Sequence, residues 1–147
     1  LGLGYQVLQS KIAIGSGGLW GKGLGQGTQN RLDFIPEQHT DFIFSVVGEE
    51  LGFIGTIGVI ALYALILYRC LCIALDSPDS EGMLITGGIL TMFLFQVVVN
   101  AGMTMGIMPV TGIPLPFLSY GANALIVNSF CVGLVLNVSW KRHKILF

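Results

Sequence analysis

Charge is absent from two long stretches of this chain, and that absence constrains its fold more than any motif. Leu51 to Tyr68 carries no Asp, Glu, Lys or Arg, and neither does Gly82 to Trp140. A helix needs ~20 mostly apolar residues to cross the hydrocarbon core of a bilayer, so these stretches predict membrane spans. Composition agrees: 53% of the 147 residues are apolar, 10% are charged, and the mean hydropathy is +0.79. Soluble domains carry about a quarter charged residues, and a water-exposed surface can hardly be built from so few. The net charge of -1, with no basic stripe, gives no reason to expect nucleic acid as a partner.

The pattern predicts an all-α integral membrane protein with three transmembrane helices and a long extracellular loop. The first span is expected from about Asp41 to Ala74, with acids only in its first turns and Arg69 snorkelling to the interface at its far end. Ser77-Pro78-Asp79-Ser80 reads as the turn into a second span, from about Gly82 to Ile107, which holds Gln96 and Asn100 as internal polar residues. Residues 108–119 follow, with Pro109, Pro114 and Pro116 forbidding a continuous helix. Apolar, non-helical backbone beside a membrane predicts a loop tucked into protein or lining a cavity. The third span is expected from about Tyr120 to Ser139, followed by a basic tail over 140–147.

Residues 1–42 read as a Gly-rich loop containing one short amphipathic helix, Tyr5 to Ile14. Val7, Leu8 and Ile12 fall on one side of it and Gln9 and Lys11 on the other. At roughly ten residues it is too short to span and is expected at the interface or partway into the bilayer. Leu1 is not a methionine and leads into glycine rather than a signal peptide, so further membrane helices are expected in a longer protein. Lys141, Arg142 and Lys144 beside the last span, with Trp140 as an anchor, predict a cytoplasmic end there. By alternation the Pro-rich loop and residues 1–42 are then outside, and residues 75–82 inside. Cys70, Cys72 and Cys131 lie in or beside the spans with no C-x-x-C spacing, and read as small apolar packing residues.

Two segments invite a chemical reading. Gly15-Ser16-Gly17-Gly18-Leu19-Trp20-Gly21-Lys22-Gly23 approaches a phosphate-binding loop but fails the pattern at Ser16 and at Gly23, and no strand precedes it. A flexible loop is the default; backbone N–H groups and Lys22 could still meet an anion. The second segment is Pro36-Glu37-Gln38-His39-Thr40-Asp41-Phe42, followed by Glu49 and Glu50. Thr40 or Asp41 could simply cap the helix that follows. Against that, acids at the membrane boundary are costly and usually functional. Glu37, His39 and Asp41 would share a face of an extended strand, but no metal-binding spacing is present.

These residues also carry a family likeness. Gln9 to Leu19 with Gly21-Lys22-Gly23, then Gln26-Gly27-Thr28-Gln29, then Ile35 to Phe44, and finally Pro109 to Gly121 resemble the SEDS family of shape, elongation, division and sporulation proteins. Lys11 and Gln26-Gly27-Thr28-Gln29 are closer to the RodA elongation branch than to FtsW. The likeness covers most of the chain and corresponds to the carboxy-terminal portion of a roughly ten-helix fold. It departs after Gly121, where Ala122-Asn123-Ala124 replaces the usual glycine and small hydroxyl residues.

The resemblance implies a peptidoglycan glycosyltransferase of the bacterial inner membrane that polymerises lipid II for cell-wall elongation, alongside a class B penicillin-binding protein. It assigns the family's essential aspartate to Asp41, and makes Lys22, His39 and Ser119 candidates for contact with substrate. Joining an acceptor hydroxyl to an α-linked lipid pyrophosphate donor with inversion needs one base, not the paired carboxylates of a retaining glycosidase. Partial burial raises a carboxylate's pKa and improves it as that base. The leaving pyrophosphate calls for positive charge, from Lys11, Lys22, Arg31 or a divalent cation such as Mg or Mn. A lipid II flippase and a non-catalytic scaffold are the alternatives. The flippase would need polar residues along a whole path, where only Gln96, Asn100, Asn123 and Asn128 stand.

Overall fold

A computed structural model describes residues 2–26 and 41–144. Four helices are present among them: α1 (Leu3–Ser16), α2 (Ile43–Leu75), α3 (Ser80–Thr104) and α4 (Ala122–Lys144). The last three are long and apolar enough to span, with mean hydropathies of 2.2, 2.0 and 1.6 in their best windows. Their order and number match the expectation from charge segregation. Their lower halves pack around Cys70, Ile89, Phe93 and Val135, with Leu67, Met92 and Cys131 against them. Cys70 and Cys131 thus fill apolar space, and all three cysteines are free thiols.

α1 is longer than the expected Tyr5 to Ile14, and the ends of α3 and α4 also differ from the sequence reading. α3 stops at Thr104 rather than Ile107, because Gly106 takes φ +71° and the Ile107 N–H folds back to the Gly102 carbonyl. A glycine in the left-handed region is the commonest way to end a helix. The Pro-rich connection is accordingly longer than 108–119. At the other end, residues 140–144 continue α4 instead of forming a separate tail.

The largest difference lies within α2. Gly52 has φ +69° and ψ -165°, so the helix is broken there. An unbroken helix of this length would run ~50 Å, far more than the ~30 Å hydrocarbon core. The break folds its first segment over: Phe44 and Tyr63, ~28 Å apart on a straight helix, share one apolar cluster with Leu115.

A break inside an apolar helix strands backbone groups that must find partners. The Gly-rich loop supplies them. Lys22 and Gly23 N–H donate to the Glu49 and Glu50 carbonyls at 3.0 and 3.1 Å, while Phe53 and Ile54 N–H donate to the Gly18 and Leu19 carbonyls at 2.9 and 3.2 Å. Residues 17–23 are therefore a fitted patch on a broken helix, not the flexible connector their composition suggests.

α1 leads into this patch, and its buried side is not the one its large apolar residues mark. Leu8 and Ile12 are 55% and 45% exposed, whereas Ser10, Ala13 and Gly17 are buried. Small residues at this spacing let backbones approach closely in a membrane. Ser10 Oγ donates to the Thr104 carbonyl at 2.8 Å, and a Cβ on Gly17 would stand 2.0 Å from the Gly48 oxygen. The exposed Leu8 and Ile12 leave an apolar outer face.

Candidate functional site

The folded-over start of α2, the Pro-rich connection and the end of α3 converge on Asp41. The residue is half-buried, immediately before Phe42, which is itself buried and takes the N-cap position of α2. Phe42 makes no side-chain capping bond, and Asp41 does not occupy the cap, so the capping reading of Asp41 is not what the backbone adopts. Its main chain is held instead from α3: Asn100 Nδ2 donates to the Asp41 carbonyl at 2.9 Å and to the Ile113 carbonyl at 2.8 Å. Its carboxylate lies against the Pro-rich connection, where a Cβ on Gly112 would stand 3.2 Å from Asp41 Oδ2.

The Pro-rich connection is rigid in ways its prolines alone do not dictate. Ser119 Oγ accepts from the Leu115 N–H at 2.7 Å, and the Ser119 N–H donates to the Leu115 carbonyl at 3.1 Å, closing a turn over 115–119. The Tyr63 hydroxyl donates to the Pro116 carbonyl. Phe117 takes φ +63°, unusual for a residue with a side chain, and meets Phe93 edge to face at 5.9 Å. Phe93 lies ~16 Å below the end of α3 by helical rise. The connection therefore dips between the spans, as its apolar, proline-broken sequence predicts.

The sequence candidates fare differently. Asp41 stands at the meeting point of three elements. Lys22 is drawn into the helix break: its Nζ pairs with Glu49 Oε1 at 2.8 Å, with the Lys22 side chain 28% exposed and that of Glu49 1%. Ser119 is committed to its own turn. His39, with Glu37 and Arg31, falls outside the described residues. Lys11 lies over the end of α3, its Nζ 2.7 Å from where a Cβ on Gly106 would be. Among the described residues no three His, Cys, Asp or Glu side chains gather as a metal-binding group.

Three participants escaped the sequence reading. In the sequence Glu49 is an acid near Asp41, Gly52 a glycine at the start of the apolar run, and Gly112 one position of the Pro109–Gly121 motif, none with a stated role. Asn100 was noticed as a polar residue in a span, without its partners; its isolation in a charge-free helix was the available signal.

Residues 1–144 match the family model described as cell cycle protein, which groups FtsW, RodA and SpoVE. The chain belongs to this family. Over 145 residues it is 50% identical to the peptidoglycan glycosyltransferase MrdB of Escherichia coli (strain K12), covering 99% of this chain and 39% of that protein. It is 49% identical over 139 residues to the peptidoglycan glycosyltransferase RodA of Treponema pallidum, covering 95% of this chain and 32% of that one. Stage V sporulation protein E of Bacillus subtilis is 48% identical over 139 residues, 95% and 38% of the two chains. Among solved structures, a chain from a study of the structural coordination of polymerization and crosslinking by a peptidoglycan synthase complex superposes with a TM-score of 0.75. It is 37% identical, and the match covers 93% of this chain and 38% of that one. This SEDS chain thus spans about two fifths of the length of the relatives it matches. The identities to RodA-type and sporulation members are nearly equal, so they mark the family rather than a branch.

Proposed function

We propose that this chain forms the carboxy-terminal part of a peptidoglycan glycosyltransferase that polymerises lipid II, with Asp41 as its general base. The observation that carries the reading is the setting of Asp41: a half-buried residue whose main-chain carbonyl accepts from Asn100 on α3 and whose carboxylate lies against the Pro-rich connection. The names of the relatives support the reaction class.

In this reading Asp41 takes the proton from the acceptor sugar hydroxyl as that oxygen attacks the anomeric carbon of the donor. The new glycosidic C–O bond forms on one face while the bond to the pyrophosphate breaks on the other, and the pyrophosphate leaves with the electron pair. One base suffices for this inverting displacement. Lys22 is engaged by Glu49, so its part is to hold the helix break together rather than to meet the pyrophosphate directly. Lys11 is exposed on the same face. Among the described residues no three acids, histidines or cysteines gather to hold a divalent cation; such an ion, were it bound, would offset charge on the leaving group.

The face carrying Asp41 is assigned to the outside of the inner membrane, because α4 ends on the opposite face in Lys141, Arg142 and Lys144. Elongation is the favoured process, and a class B penicillin-binding protein the expected partner; work on a complex that polymerises and crosslinks, to which the similar structure belongs, supports such pairing.

The test is polymerisation of purified lipid II by the full-length protein and its Asp41→Ala and Asp41→Asn variants. Both variants should insert and fold but make no polymer. Undiminished polymer from a folded Asp41→Ala protein would sink the reading. Transbilayer movement of labelled lipid II without polymerisation would favour a flippase instead.

A further inference from the structure

Asn100 sits where three separately built parts of the chain meet. It is 0% exposed, on α3 near its end. Its amide nitrogen donates both to the Asp41 carbonyl at 2.9 Å and to the Ile113 carbonyl at 2.8 Å. A primary amide carries two N–H donors in a fixed fork. Here both go to backbone that lies outside any helix: the residue before the cap of α2, and the Pro-rich connection. The other end of the amide is poorly served. Asn100 Oδ1 is buried without a hydrogen-bond partner among the described residues. An unsatisfied buried acceptor is costly, and an apolar side chain of similar shape would avoid that cost. The amide makes physical sense at this position only for its two donors.

We propose that Asn100 is a positioning residue for Asp41, its forked amide pinning the Asp41 peptide to the Pro-rich connection and so setting where the carboxylate stands. The inference rests on the reading of Asp41 as the base. Asn100 touches neither sugar nor pyrophosphate. It acts by holding Asp41 and Ile113 at one distance, which keeps Asp41 Oδ2 against Gly112. Phe42 anchors the next residue in the core, but an anchored ring does not fix the rotation of the preceding peptide. Without the amide, the two hydrogen bonds that tie the Asp41 and Ile113 carbonyls to α3 are lost. A displacement of ~1 Å in a reacting group costs about 100-fold in rate. The same bonds also hold α3 to its neighbours, so loss of stability alone cannot distinguish positioning from glue.

The deciding experiment uses the full-length protein in detergent, assayed over a range of lipid II concentrations as wild type, Asn100→Leu, Asn100→Asp and Asp41→Asn. Leucine fills nearly the same space with no donor. A buried, neutral aspartic acid supplies one O–H donor in place of two N–H groups. Folded Asn100→Leu should lose about 100-fold in kcat with KM within about threefold. Asn100→Asp should fall between it and wild type. If the leucine variant does not fold, the aspartate variant decides by the same loss of kcat at a nearly unchanged KM. Wild-type kcat in a folded variant overturns the proposal, and so does failure of both variants to fold, which would make Asn100 a folding determinant. An inactive Asp41→Asn beside such a result leaves the base reading standing. An active Asp41→Asn removes the base reading and the positioning role together.

Discussion

Gly21 and Gly52 meet backbone against backbone. A Cβ on Gly52 would stand 2.2 Å from the Gly21 nitrogen, and one on Gly21 would stand 2.2 Å from the Glu50 carbonyl oxygen. Both residues also hold positive φ, +78° and +69°, which costs a residue with a side chain about 1–2 kcal/mol before any clash. Gly52→Ala and Gly21→Ala should each destabilise the full-length protein by more than ~2 kcal/mol, read as a lower melting temperature in detergent. The two break the same junction, so the double variant should cost clearly less than the sum of the singles. Additive losses would mean that loop and helix break do not depend on each other.

The ion pair within that junction makes an asymmetric prediction. Lys22→Met removes the Nζ that pairs with the buried Glu49 Oε1 at 2.8 Å, at a cost of about 3 kcal/mol. Glu49→Gln leaves a neutral amide beside a lysine that can still reach water, and should cost less than half as much. Lys22→Met with Glu49→Gln should recover part of the loss, since no buried charge remains. Denaturation of the four proteins in one detergent gives the cycle. If Lys22 instead served chiefly to bind pyrophosphate, Lys22→Met would raise KM for lipid II and leave the melting temperature unchanged.

Gly112 offers a way to press on Asp41 without touching the core. It is exposed, has φ +65°, and a Cβ on it would stand 3.2 Å from Asp41 Oδ2. Gly112→Ala should lower kcat by about 10- to 100-fold, with a melting temperature within a few degrees of wild type. Normal turnover in Gly112→Ala would show that the carboxylate can stand elsewhere and still act.

The elements that could be read from the sequence were those set by local composition. The spans follow from the charge-free stretches, because a bilayer selects on length and apolarity alone. The dipping connection follows from three prolines in an apolar run, and Asp41 from an acid at a membrane boundary together with a specific family motif. Gly52 was not legible as a break: one glycine among apolar residues looks the same whether the helix runs on or folds over. What decides it is the partner loop, more than 25 residues earlier, whose N–H and carbonyl groups repair the break. The face that α1 packs against the protein was not legible for a related reason. Its leucine and isoleucine mark where apolar surface is available, but close packing against Gly48 and Thr104 selects Ser10, Ala13 and Gly17 instead. Asn100 was visible as a residue, yet its partners are backbone carbonyls that only the tertiary fold brings together.

The orientation can be tested apart from the chemistry. The acidic turn at Asp76 to Glu81 sits oddly on a face assigned to the cytoplasm, but it is not alone there. Ser77, Asp79 and Glu81 line a cleft of about 120 Å³ together with Lys141, so the basic end of α4 lies beside the acids. Basic residues flanking a span set its direction while acids contribute little, and the assignment therefore follows Lys141, Arg142 and Lys144. Trp20, 82% exposed on the opposite face, is a suitable reporter, and the three native cysteines lie in α2 and α4. In intact spheroplasts a membrane-impermeant maleimide should label Trp20→Cys and leave Asp79→Cys unlabelled above the background of the parent protein. Asp79→Cys should react only once the membrane is opened. The reverse pattern would put Asp41 on the cytoplasmic side, where no polymerase of outward-facing lipid II could work.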